Sequence, residues 1–194
     1  MRLLYRTFQD PAFQDQPLLI RSWQPSDRQD AAEVIRGVLA EYGLGWEPQG
    51  ADRDVLEVES CYLERGGEFW VVEQSGILLG TSAYYPIQRA EKAVEIRKMY
   101  LHPKVRGKGL GQFLLEQLEA AIAMRGYRQI WIETASVLKE AVQLYEKNGY
   151  IPATGVETPR CDRVYVKQLV ISSPCPTRSH EPSVHGQAVN ESFR

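Results

Sequence analysis

Residues that bind structural metals or form disulfides are scarce in this sequence. The three cysteines, Cys61, Cys161 and Cys175, are odd in number, widely spaced and without metal-ligand spacing, which suits a reducing compartment and predicts neither a structural disulfide nor a metal. Histidine is limited to His102, His180 and His185. The last two lie in a polar C-terminal stretch, and His102 precedes Pro103 at a strand end and reads as a loop residue, so a general base is to be sought among carboxylates. Long apolar runs are missing too, and nothing approaches the length of a membrane span. The N-terminus, MRLLYRTFQDPAFQDQP, lacks the apolar centre and cleavage site of a secretory signal, so a soluble, cytoplasmic protein is expected. With a formal net charge of −2 there is no basic excess to suggest a nucleic-acid partner.

What is present suffices for one core. The 194 residues are 43% hydrophobic, enough for one domain with tails and too few for two. An arm without clear periodicity is expected over 1–17, a domain over 18–171, and a disordered tail over 172–194, where prolines are frequent and apolar residues few. Within the domain, residues 18–23 read as a strand. Pro25-Ser26-Asp27 signals a helix start before Ala31, Val34, Ile35, Val38 and Leu39 at helical spacing. A second amphipathic helix is expected over 52–65, stopped by Gly66-Gly67. Strands follow at 68–73, 77–85 and 94–101, the first two joined as a hairpin. Then come a helix over 109–125, a strand over 129–134, a helix over 138–147 capped by Asn148-Gly149, and strands at 150–153 and 163–170. No internal repeat is evident.

The stretch AVEIRKMYLHPKVRGKGLG at 93–111 carries the chemistry. A β-branched-rich strand leads through a short loop into Arg106-Gly107-Lys108-Gly109-Leu110-Gly111 and directly into a helix. Three positions without side chains let main-chain N–H groups approach a ligand closely, and the helix start adds partial positive charge, which makes a phosphate cradle. A dinucleotide-binding turn would need glycine where Gln112 stands, and a nucleotide P-loop would need Ser or Thr where Gly109 stands.

The spacing Arg-x-x-Gly-x-Gly, with Lys98-Met99-Tyr100-Leu101 before it and Leu144-Tyr145-Glu146-Lys147-Asn148-Gly149-Tyr150 after it, resembles the GNAT acetyltransferase superfamily over residues 18–170. The resemblance implies an α/β fold built on a mixed sheet, in the order β-α-α-β-β-β-α-β-α-β-β, with a splayed central strand pair. It also implies transfer of an acetyl group from acetyl-CoA, without a metal, to a primary amine of a small molecule or peptide by direct attack on the thioester. The main chain of Arg106, Gly107, Lys108, Gly109, Leu110 and Gly111 would hold the coenzyme pyrophosphate, with Arg106 and Lys108 adding charge. Main-chain groups of Met99, Tyr100 and Leu101 would hold the pantetheine arm.

Glu95 then stands where several relatives carry a base that takes the amine proton through water. A carboxylate in a central strand is costly to bury unless it is paired or lines a wet cleft. It reads equally as an ion-pair partner of Arg97, which strand alternation puts on the same face and which would lower its pKa. Tyr145 is the candidate acid for the leaving thiolate, against the alternative of a core aromatic. Leu138 replaces an asparagine common in relatives. On the acceptor side the candidates are Tyr42, Trp46, Tyr62, Thr134 and Arg160, with Asp52, Asp54, Ser136 and Asp162 near them. The acidic run over 47–64 reads either as an attractor of an ammonium group or as a solvated face. Arg160-Cys161-Asp162 has no assigned role. A non-catalytic acyl-CoA sensor or scaffold is the competing function, and a homodimer stays open.

Overall fold

The structure is a computed structural model that describes residues 5–9 and 17–169. The tail expected from 172 lies outside the described residues, as do 1–4 and 10–16 of the expected arm. Among the described residues the strands are β1 (Tyr5–Phe8), β2 (Leu18–Ser22), β3 (Glu68–Gln74), β4 (Ile77–Ile87), β5 (Ala93–Leu101), β6 (Gln129–Thr134), β7 (Ile151–Ala153) and β8 (Arg163–Gln168). They form one sheet in the order β1-β2-β3-β4-β5-β6-β8-β7. Every neighbouring pair is antiparallel except β5 with β6. The helices are α1 (Arg28–Glu41), α2 (Arg53–Leu56), α3 (Leu110–Met124) and α4 (Lys139–Lys147).

Strand alternation divides the core in two. Along β3, Trp70 and Val72 join one cluster with Leu110, Leu114 and Leu118 of α3 and Tyr145 of α4. Phe69 and Val71 turn the other way and pack with Ala31, Ile35 and Leu39 of α1. The mixed sheet with helices on both faces is the expected fold, and apart from the second helix the helix and strand boundaries fall within a few residues of the sequence reading.

Within the expected extended arm, Tyr5–Phe8 pairs antiparallel with β2. One expectation needs correcting. The second helix is not continuous. It breaks at Glu57, whose φ of −127° and ψ of 46° leave the helical region. A separate π-helical turn over Glu59–Leu63 follows. A tertiary bond accounts for the break: the Leu56 carbonyl accepts from the Arg28 guanidinium instead of continuing the helix. Amphipathic spacing reports the face to be buried and is blind to such competition for carbonyls.

Two irregularities in β5 make room for a site. Its pairing with β6 covers Ala93↔Gln129 to Ile96↔Ile132 and ends there, although β5 continues to Leu101. Beyond Ile96 the strands part. On the other side of β5, Thr81 faces Tyr100 and Ala83 faces Arg97, so the single residue Ser82 spans both Lys98 and Met99. This is a β-bulge, and Lys98 takes a left-handed φ of 53° to make it. For a side-chain-bearing residue that conformation costs about 1 kcal/mol or more, so bonds at the Lys98 side chain must offset it.

Candidate active site

Where β5 and β6 part, a cleft of about 420 Å³ opens between the end of β5, the start of α3 and α4. The glycine turn forms one end. Gly107 and Gly109 have φ of +74° and +80°, and a Cβ on either would meet nothing within 4 Å, so the main chain here faces open space. Gly109 is the N-cap of α3, leaving the first-turn amides without intrahelical acceptors. Such amides suit a phosphate chain. Val105, 1% exposed, pins the loop before the turn.

The turn's side chains behave differently from expectation. Arg106 lines the cleft, but most of its guanidinium is already engaged. Its Nη1 and Nη2 each donate at 2.8 Å to the Glu41 carboxylate, and its Nε donates at 2.6 Å to the Leu101 carbonyl. Arg106 therefore ties the turn to α1, and it consumes one main-chain acceptor expected for the pantetheine arm. Lys108 lies outside the cleft wall, and Leu110 is buried in the core, so only its amide faces the turn. Met99, Tyr100, Leu101, Gly107, Gly109 and Gly111 do line the cleft.

Glu95 and Tyr145 both line it as well. Glu95 is 6% exposed, and its Oε2 accepts from the Tyr85 hydroxyl at 2.9 Å. Burial raises its pKa despite the opposing pull of Arg97 and Tyr85. The alternative of a close ion pair is weak, since Arg97 Nε stands 3.9 Å from Oε1. Tyr145 is 5% exposed and stacks at tilted angles against Tyr150 and Tyr165. Burial, then the proximity of Tyr100 and Cys161, raises the pKa of its phenol. Its phenol is thus protonated, and the residue both packs in the core and borders the cleft.

The acceptor candidates separate. Tyr42 lines the cleft with its hydroxyl donating to Glu140 at 3.0 Å, and Thr134 and Arg160 line it too. Trp46 does not; it packs against the α1-side core. Tyr62 is fully buried, donates to Asp54, and borders a second cleft of about 360 Å³ instead. Large aromatic residues in a helix-loop-helix segment read alike whether they serve the core or a ligand, which is why sequence could not sort them.

Sequence reasoning missed the hub beneath this wall. Asp52, fully buried, accepts from Arg160 Nη1 and Nη2 at 2.5 and 2.6 Å and from Lys98 Nζ at 2.7 Å. Lys98 Nζ also stands 3.1 Å from Asp54 Oδ1. Burial alone would raise the Asp52 pKa, but Arg160 and Lys98 outweigh it and bring it down to about 2. These bonds hold the bulge and fasten the loop before β8 over the cleft. At the loop's other end Asp162 accepts from the Ser136 amide at 2.7 Å and its hydroxyl at 2.6 Å. Arg160-Cys161-Asp162 is therefore a clamp, with Cys161 between its two fastenings lining the cleft. The signal was available: the cost of charge in a central strand, applied to Glu95, applies equally to Arg97 and Lys98.

Residues 32–150 match the acetyltransferase (GNAT) family. Uncharacterized N-acetyltransferase YjgM of Escherichia coli (strain K12) is 39% identical over 128 residues, covering 64% of this chain and 76% of its own length. Probable N-acetyltransferase family 8 member 5 of Mus musculus is 26% identical over 100 residues, covering 50% of this chain and 44% of its own, so the chain spans under half of that relative. The fold recurs in a GNAT-family acetyltransferase of Staphylococcus aureus Mu50, with a TM-score of 0.73 and 18% identity over 79% of this chain and 99% of that one. It recurs also in yncA of Salmonella typhimurium, solved with its cofactor acetyl-CoA, with a TM-score of 0.63 and 20% identity over 82% and 98% of the two chains. Among the described residues no helix is long and apolar enough to cross a membrane. Because the family match runs unbroken from α1 through the end of α4, across the parted strands and the glycine turn alike, this chain belongs to the GNAT family and is an acyltransferase.

Proposed function

We propose that the protein is an acetyl-CoA-dependent N-acetyltransferase whose acceptor is a primary amine that attacks the thioester directly. One observation carries the reading: Glu95, buried with a raised pKa, and Tyr145, a protonated phenol, line the same cleft that ends on the open amides of the glycine turn. In this reading the pyrophosphate rests on the amides from Gly107 to Gly111, and the pantetheine arm runs along β5 where β6 has parted from it. The amine nitrogen forms a bond to the carbonyl carbon while the carbon–sulfur bond breaks. Its proton passes to Glu95, directly or through water, while the Tyr145 hydroxyl hydrogen-bonds the departing thiolate and relays a proton to it, the phenol being reprotonated from solvent. A carboxyl with a raised pKa is closer to the optimum for accepting a proton near neutrality than an ordinary glutamate.

Release of free thiol from acetyl-CoA, followed over a panel of primary amines, tests the reading. Acceptor-dependent release supports it. Tight binding of acetyl-CoA with no release over the panel would favour a sensor or scaffold.

Two glycines give a contrast at the donor end. Gly109→Val puts a branched side chain at φ +80° in the open space before the turn, so the Kd for coenzyme A should rise by more than about a hundredfold. Gly111→Ala adds a methyl that meets only Leu101 and Leu144 at 3.7 Å, an ordinary contact. Its Kd should stay within a factor of about two while stability rises by about 0.5 kcal/mol from the helical preference of alanine. Calorimetry and a denaturant midpoint read both, and equal Kd values for the two variants would remove the pyrophosphate from this turn.

Tyr145→Phe keeps the ring packing and removes the hydroxyl. Thiols have a pKa of about 8.5, so a thiolate leaves without much help, and kcat should fall only roughly ten- to a hundredfold. Donor affinity should change little. Full turnover in this variant, with chemistry shown to be rate-limiting, would assign the proton to water.

A further inference from the structure

Arg97 stands out among the half-buried arginines because it makes few hydrogen bonds. Arg160 donates twice to Asp52, Arg106 twice to Glu41 and once to a carbonyl, and Arg21 three times to Asp27 and Glu73 at 2.6 to 2.8 Å. Among the described residues Arg97 makes one hydrogen bond, from Nη1 to the Tyr85 hydroxyl at 3.3 Å. The neighbouring carboxylates of Asp54 and Glu95 stand 3.8 and 3.9 Å from its Nε, beyond hydrogen-bonding reach. Its side chain is only 21% exposed. Its guanidinium carbon also lies 5.9 Å from the centre of the Tyr85 ring. A guanidinium has five donors in a planar fork that suits a carboxylate, so the N–H groups that Arg97 presents to the clefts are open to an anionic ligand.

The idle donors face usable space. Arg97 lines both the main cleft and the second one, which lies between α2, the π-helical turn and β4. The two acids bordering the second cleft have their own partners. Asp54 is met by Tyr62 and Lys98, and Glu57 accepts from Arg53 at 2.9 Å. Arg65 brings a second positive charge, lying 4.3 Å above the Tyr85 ring at the mouth of this cleft. Glu95 and Arg97 are each one hydrogen bond from the same phenol oxygen, because Tyr85 donates to Glu95 and accepts from Arg97. An amine presented to Glu95 and an acid group presented to Arg97 would therefore belong to one small molecule.

We infer that the acceptor is a small aminocarboxylic acid, whose carboxylate is taken by Arg97 while its amine faces Glu95, in the main cleft that both residues line. The inference rests on the acetyl-transfer reading for the identity of the amine and adds the acid group and the residue that selects it. Bidentate pairing supplies the missing bonds of Arg97 and fixes the amine relative to the thioester. An amine without the acid group leaves the guanidinium unpaired, which is the kind of defect that gives strong discrimination.

The test uses the full-length protein with saturating acetyl-CoA and reads thiol release from the common L-amino acids, each beside its amide and its decarboxylated amine. For the preferred amino acid, kcat/KM should exceed that of both analogues by on the order of a hundredfold. Arg97→Gln should bring that ratio towards one with an unchanged Kd for coenzyme A, and Arg97→Lys, which keeps the charge but not the fork, should restore part of it. Equal turnover of the analogues, or an unchanged ratio in Arg97→Gln, overturns the inference and leaves acetyl transfer standing. If no amine is turned over, acetyl transfer falls, and calorimetry of the same amino acids into the coenzyme A complex decides the site. Binding that is lost in Arg97→Gln supports it, and no binding overturns it.

Discussion

Glu95→Gln should lower kcat/KM for the amine by on the order of a hundred- to ten-thousandfold at neutral pH, the usual span for a general base, and should not lower stability. The two halves of that result separate the readings of this residue. In a base role the carboxylate must be ionised to work, yet burial raises its pKa, so the wild-type rate should climb with pH through a value above that of an ordinary glutamate. In the variant the rate should depend on how much acceptor amine is already neutral, so the deficit shrinks as pH rises. The stability half follows from the same shift. A carboxyl whose folded pKa is raised favours the folded state in its protonated form, fully so below its unfolded pKa, and that contribution is lost as pH rises through the folded value. At neutral pH the ionised Glu95 is a burden on the fold, and the neutral amide removes it while still accepting from Tyr85. A structural ion pair with Arg97 predicts the reverse, a loss of stability with little change in rate. A melting temperature several degrees lower, with kcat/KM within a factor of about three, would assign Glu95 to that pair.

The parts of this molecule that were legible in the sequence share a feature: their signal is local. Helical spacing in α3 and α4, alternation in β3 to β6, the hairpin at Gln74-Ser75-Gly76 and the glycine turn each depend on residues within a few positions of one another. The cleft was legible for the same reason, since Glu95, Met99 to Leu101 and the turn lie on one continuous stretch. What was not legible depends on partners distant in sequence. Arg106 looks like a phosphate ligand until Glu41, sixty-five positions away, takes its guanidinium. The helix over 52–65 looks continuous until Arg28 takes the Leu56 carbonyl. Arg160 looked like an acceptor contact, and its bonds to Asp52 make it first a fastening of the cleft wall. Charged side chains are the least predictable elements because their placement is decided by which opposite charge reaches them when the chain is packed.

Asp52→Asn should therefore destabilise the protein by about 3 kcal/mol, near the lower end of what breaking a buried ion pair costs. Asparagine keeps the shape and one acceptor, but it removes the charge that faces both Lys98, 2% exposed at its side chain, and Arg160, 10% exposed. Asp54 can compensate only Lys98, from 3.1 Å. In the wild-type protein this stabilisation is complete above the unfolded pKa near 4 and is lost as pH falls through the folded value of about 2. The wild type should lose stability over that acid window, and the variant should lose less there because it has no such carboxylate to protonate. Two further readouts distinguish a hub from a lone bond. Adding Lys98→Met to Asp52→Asn should recover part of the lost stability by removing the uncompensated ammonium. On the proposed reading the single variant should also raise the acceptor KM with little change in donor affinity, since the clamped loop lines the cleft and the glycine turn is held separately by Arg106 and Glu41. An unchanged denaturation midpoint in Asp52→Asn would show that Lys98 keeps its left-handed place in the bulge without this carboxylate.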